Sequence, residues 1–308
     1  MFCQLHYIRR RLIFHSISQK HYLQSPALYY IKLIFPNISF IIGDDAMFPE
    51  GQRYFYKNNP LDNVVVQFRF PPKLKIEANT PSEFQEKIAD ICPDYSVTQI
   101  VQQQVNIHGD GQNSIPSWQI QSPVTNKVHI FRDIAKEKTI ELTMNSLTVT
   151  FSKYVRWEEF KEVFTRARLA LESIYGVSLY TRIGLRYIDK FIMEKLDFQT
   201  PKDWKSLIHP AFLGLASLKE NQPLNFQSIN EVSLEKHNAR AVIVTSSLRG
   251  KDRNRIDGIV LDYDCSIEEN TVCDESSERL EYLHNQSRNV FEFAITQDLR
   301  LAMGMEQQ

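Results

Sequence analysis

Two short phrases, TPSEF at 80–84 and TPKDW at 200–204, constrain this chain more than any other feature, because each follows a strand-like run of the same kind. In LDNVVVQFRFPP, Val64, Val66, Phe68 and Phe70 alternate with Val65, Gln67 and Arg69, the period of a half-buried strand, and Pro71 and Pro72 stop it. In LYTRIGLRYIDKFIM, Ile183, Leu185 and Tyr187 alternate with Arg182, Gly184 and Arg186. Arg69 precedes its Thr-Pro by 11 residues and Arg186 precedes its own by 14. Thr80 and Thr200 have the chemistry of helix caps, each proline suits a first helical position, and Glu83 is spaced as a capping-box partner of Thr80.

The continuations also correspond. Segments near 101–107, 118–121, 127–132, 139–144 and 147–154 read as short strands, and Trp157, Phe160, Phe164, Ala167, Leu171 and Ile174 recur at helical spacing until Gly176. Later, strands near 224–236, 239–249 and 255–267 precede a helix carrying Leu280, Leu283, Ser287, Phe291 and Ala294. The expectation is an α+β fold made of two duplicated units, 47–177 and 178–308. Each runs strand, helix, antiparallel strands, long helix, and together they form one continuous curved antiparallel sheet backed by helices.

Residues 1–46 differ from the rest. They hold no acid before Asp44, have no helical or alternating period, and their longest apolar run is broken by Pro36 and Asn37, too short for a membrane span. Neither a transit peptide nor a signal sequence has this layout. The segment reads as a non-native or disordered extension, with the true start at Met47; N-terminal mass spectrometry of the native product checks this. The whole chain carries a formal charge of −1, and the first 43 residues contribute Arg9, Arg10, Arg11, Lys20 and Lys32, so the remainder stands at −6 (−1 minus 5). That balance argues against a general nucleic-acid footprint. Four cysteines without a C-x-x-C pair give no support to zinc or a disulfide framework and suit a reduced, cytoplasmic protein. Only ten glycines occur, which disfavours dinucleotide-binding and P-loop enzymes, and no cofactor is expected.

At NNPL (58–61), QFRFPP (67–72), FQEKI (84–88), SKYVRWEEF (152–160), RIGLRYIDKF (182–191) and LEYLHNQSRNVFEFAITQDL (280–299), the chain resembles a family of sporadically distributed, uncharacterised prokaryotic proteins. The resemblance runs from about Met47 to the C-terminus. It implies a bacterial or archaeal protein scattered among genomes in the manner of mobile or defence-associated genes, and it supplies no catalytic residues.

The repeat puts Arg69 and Arg186 at equivalent positions on the non-core face, with Gln67 beside one and Arg182 roughly 13 Å along the strand from the other. Their guanidinium groups suit phosphate or carboxylate, and equally suit cross-strand ion pairs. His284 borders the apolar stripe of the last helix, as a half-buried structural histidine or as a general base. Asp189 is read as a partner for a nearby arginine and, with His284, as a secondary ligand-binding candidate. Asp262 and Asp264 share one strand face, a weak magnesium pair without a third ligand. Arg249, Lys251, Arg253 and Arg255 form a basic hairpin tip diluted by Asp252 and Asp257. No catalytic constellation is visible. The leading expectation is a non-enzymatic binding or regulatory protein that recognises an anionic ligand or a partner protein on its polar sheet face, without membrane contact. Nucleic-acid binding comes second, and an enzyme acting on an anionic small molecule third.

Overall fold

The computed structural model describes residues 47–50, 52–102, 105–108, 117–120, 124–154, 156–200, 202–218, 226–249 and 255–307. The expectation for residues 1–46 and most of the basic tip at 249–255 lie outside them. The described residues from 47 onward belong to one compact unit.

The fold is α+β, and its centre is a nine-stranded sheet. In chain order its strands are β1 (Leu61–Arg69), β2 (Asp94–Gln102), β3 (Val124–Arg132), β4 (Lys138–Thr143), β5 (Ser146–Phe151), β6 (Arg182–Ile192), β7 (Gln227–Ser233), β8 (Ala239–Arg249) and β9 (Arg255–Ile267). Their spatial order is β7-β8-β9-β6-β1-β5-β4-β3-β2, with every neighbouring pair antiparallel. The strands read as first in each half, β1 and β6, pair at the centre, Arg69 opposite Arg182 and Val65 opposite Arg186. On either side the order is the same: the last strand of a half lies beside its first, and earlier strands lie farther out.

Six helices complete the described chain: α1 (Leu74–Ala78), α2 (Ser82–Ile88), α3 (Trp157–Tyr175), α4 (Pro210–Leu213), α5 (Cys273–Ala294) and α6 (Gln297–Ala302). The two long ones form where the apolar spacing predicts. Phe160, Phe164, Ala167 and Leu171 make the buried stripe of α3, which ends because Gly176 turns left-handed at φ 60° and its N–H bonds back to Glu172. Leu280, Leu283, Ser287, Val290 and Ala294 make the stripe of α5, which packs on β6 and β9. Both helices cover the sheet face that carries Val64, Val66, Phe68, Ile183, Leu185 and Tyr187. Among the described residues, no helix is long and apolar enough to cross a membrane.

The helix starts that announced the repeat form differently from expectation. The cap position of α2 is Pro81 and no side chain caps it; Ser82 N–H bonds the Thr80 carbonyl, so the capping box of Thr80 and Glu83 is not made. After TPKDW there is only a 3-10 turn, Trp204–Ser206, whose cap is Asp203 accepting from the Lys205 N–H. The reason is spatial: Trp204 is buried and its indole N–H donates to Asp257 at 2.7 Å, so the chain is anchored before a helix can lengthen. Also unforeseen are the short strand Tyr54–Tyr56 and its antiparallel partner Met305–Gln307.

Candidate functional site

The open face of the sheet brings together every arginine read from the sequence as a ligand anchor. Residues directly opposite in an antiparallel pair share a face, so Arg69, Gln67, Arg182 and Arg186 lie on one side of β1 and β6, with Asp262 and Asp264 of β9 beside them. Carboxylates occupy two of the guanidinium groups, those of Arg182 and Arg186. Arg186 donates to both oxygens of Asp262, Nε to Oδ1 at 2.7 Å and Nη2 to Oδ2 at 2.5 Å, and Arg182 donates to Asp264 at 2.7 Å. Burial raises the Asp264 carboxyl above its usual range despite the pull of Arg182. The row continues through Glu268 and Arg240 to Glu231. Arg69 donates to Gln67 at 2.9 Å, and Gln67 donates to Thr148 at 3.2 Å.

This is a ladder of mutually compensated charges, and it also accounts for the aspartate pair that suggested magnesium. No group of three or more metal-capable side chains occurs among the described residues. Because the Arg186 side chain is 47% exposed, its pair is screened by solvent. Arg186→Ala is expected to change stability by no more than about 1 kcal/mol, read from urea unfolding.

A cavity of about 260 Å³ lies on the other, helix-covered face. Its floor comes from β6 and β9, where Tyr187, Asp189 and Tyr263 project inward; one side comes from Tyr154, Arg156 and Trp157 at the start of α3, another from His284, Arg288 and Glu292 of α5. Tyr54 and Tyr56, with Arg53 before them, close a further side.

Asp189 therefore does not meet an arginine. It follows Tyr187 by two residues and precedes Phe191 by two, and the strand period carries it to the core face, where it is 2% exposed. The Tyr263 hydroxyl donates to its carboxylate, while Oδ2 has no hydrogen-bond partner. Burial pushes the Asp189 carboxyl up to about 7, against the opposing pull of the Tyr263 bond.

His284 neighbours this group. Its ring stacks on Trp157 at 4.0 Å and 5°, and Nδ1 lies 2.9 Å from the Tyr187 hydroxyl, which also bonds Tyr154. Burial lowers the imidazole to about 4, so it is neutral at pH 7. Its partners are a tyrosine and a tryptophan. Trp157 is fixed in turn by Glu281, which accepts from the indole N–H at 3.1 Å and pairs with Lys161.

The charges around the cavity are uneven in their pairing. Glu292, 6% exposed, accepts from Tyr56 at 2.9 Å and from Arg300 at 3.0 Å. Arg53, Arg156 and Arg288 make no ion pair with the described residues, and Nε of Arg288 is buried without an acceptor. Burial, and then the like charge of Arg53, pull the Arg288 guanidinium below its ordinary value, against the opposing charges of Glu50 and Glu292.

The sequence reading singled out Asp189 and His284 but missed Tyr154, Trp157, Tyr187, Tyr263, Arg53 and Arg288 as their companions. One signal was available: an aspartate at an apolar-face position, between Tyr187 and Phe191. No family model matches the chain, and no curated protein matches it.

Proposed function

We propose that this protein is a binding module for a compact organic anion, and that the anion enters the cavity between the sheet and the two long helices. The observation that carries this reading is Arg288: a partly buried guanidinium with an unsatisfied Nε, beside a second arginine, facing an aromatic-walled cavity. A buried donor without an acceptor costs about 1–3 kcal/mol, and two neighbouring cations repel. An anion offsets both costs.

The cavity has room for a small guest. A cavity of about 150 Å³ holds benzene, so about 260 Å³, open to solvent, accommodates one ring with substituents. The expected anion site on the open sheet face is less favoured, since Arg182 and Arg186 already have carboxylate partners there. Nucleic-acid binding draws no support from the acidic balance of the chain after its first 43 residues.

An enzymatic reading has one observation in its favour. Asp189 exchanges its proton near pH 7 inside a cavity, as general acids and bases do. The strand order, equivalent on both sides of the β1–β6 pair, supports descent from a duplicated unit. The RIGLRYIDKF and C-terminal motifs support membership of the sporadically distributed prokaryotic family.

The test is native mass spectrometry of the full chain, with Arg53→Ala/Arg288→Ala beside Arg69→Ala/Arg186→Ala. The expected result is a co-purifying anion lost from the first double variant and kept by the second. Loss from the second alone would return the site to the open face.

A further inference from the structure

The cavity holds a second unsatisfied polar group, and it restricts the guest further. Asp189 and Arg288 both line it, and each has a buried polar atom without a partner: a carboxylate oxygen and a guanidinium N–H. Most of the other lining residues are aromatic, with Tyr54, Tyr56, Tyr154 and Phe291 among them. Six buried side-chain polar atoms lack a partner among the described residues, and the two that share this cavity have opposite character, which suits a guest with two different polar groups. Resting on the anion reading above, we propose that the ligand is a hydroxyaryl acid: an acid group held by Arg288 and Arg53, a single aromatic body between the tyrosines, and a hydroxyl on Asp189.

The hydroxyl follows from the donor count. Tyr263 already donates to the carboxyl group, so only Oδ2 is left for a guest. When Asp189 is ionised, Oδ2 accepts only; when it is protonated, that oxygen carries the proton and donates. The switch falls near neutrality, because burial holds the group at about 7. An ammonium serves only the ionised state and a carbonyl only the protonated one, whereas a hydroxyl both donates and accepts. The aromatic body follows from the walls: rings packed edge-on or offset against tyrosine and phenylalanine contribute beyond their buried area. One ring fits the volume.

The inference is tested by calorimetric titration of the full chain with three probes: p-hydroxyphenylacetate, phenylacetate, which lacks the hydroxyl, and p-cresol, which lacks the acid. The expected result is that p-hydroxyphenylacetate binds at least about tenfold tighter than either, the factor that one buried hydrogen bond left unmade removes. Asp189→Asn, which retains a polar atom for the hydroxyl, keeps most of the preference over phenylacetate; Asp189→Leu abolishes it without weakening phenylacetate. Should the leucine variant not fold, the three-probe series on the unaltered protein still decides. Equal affinity for the two acids overturns the hydroxyl assignment and leaves the anion site standing. Binding of p-cresol alone, or of no probe, overturns the hydroxyaryl acid, while the arginine comparison by mass spectrometry decides the anion reading separately.

Discussion

Asp189→Asn is expected to be more stable than the unaltered protein at pH 8 and close to it at pH 4. Asp189 titrates near 7 in the folded chain and near 3.8 when exposed. Below 3.8 both states hold the proton and the group has no effect on the balance. Between the two values the unfolded chain releases its proton while the folded chain keeps it, so stability falls as pH rises. Above 7 the loss is complete, on the order of 4 kcal/mol. Asparagine keeps an acceptor for the Tyr263 hydroxyl and never ionises, which removes that pH dependence. Urea unfolding of both proteins between pH 4 and 8, at equal m-values, measures the difference. A gap that stays constant across this range would show that Asp189 does not hold its proton to neutrality. A residue whose replacement stabilises the fold is the kind retained for binding or chemistry.

Phe68→Ala is expected to cost about 3–5 kcal/mol. Phe68 is 0% exposed, on the covered face of β1, and its ring lies 4.6 Å from Phe164 of α3 and 4.7 Å from Tyr180. The truncation leaves a void between a central strand and a 19-residue helix capped at Gly176, which has little freedom to collapse into it. Domains of this size are stable by about 5–15 kcal/mol, so the denaturation midpoint should fall steeply. Phe55→Ala, at a position 49% exposed, is the control and should shift it little. Similar midpoints for the two variants would mean that the β1–α3 contact is not part of the cooperative core.

Periodicity was enough to read the two central strands and the long helices, because alternation along 61–70 and 182–187 and the 3.6-residue stripes of 157–174 and 280–294 report burial directly, but it missed the strand Asp94–Gln102. The start at 80–84 does open a helix, α2, with Pro81 in place of Thr80 at its cap; that at 200–204 misled for the opposite reason, since capping chemistry is local and the burial of Trp204 and its bond to Asp257 override it. The arginines were legible as a set on one face. Their neutralisation was not, since it depends on β9 lying beside β6, a pairing between residues such as Arg186 and Asp264 that no local pattern fixes. The cavity was the least legible part. Its walls come from five separated stretches of chain, and only the in-facing aspartate among aromatic residues hinted at it.

The cavity draws Tyr154 and Trp157 from before the β1–β6 pair's second strand in the chain and Asp189, Tyr263 and His284 from that strand and beyond it. In the proposed complex the ligand would touch both stretches at once and be bound only while β1 and β6 stay paired. Occupancy thus becomes a clamp on that pairing: the free energy of the joined state rises in stability by RT ln(1 + [L]/Kd), about 2.7 kcal/mol at a hundredfold excess over Kd. Slowed amide exchange along β1 and β6 would be its trace, so that the centre of the sheet reports on whether the pocket behind it is filled.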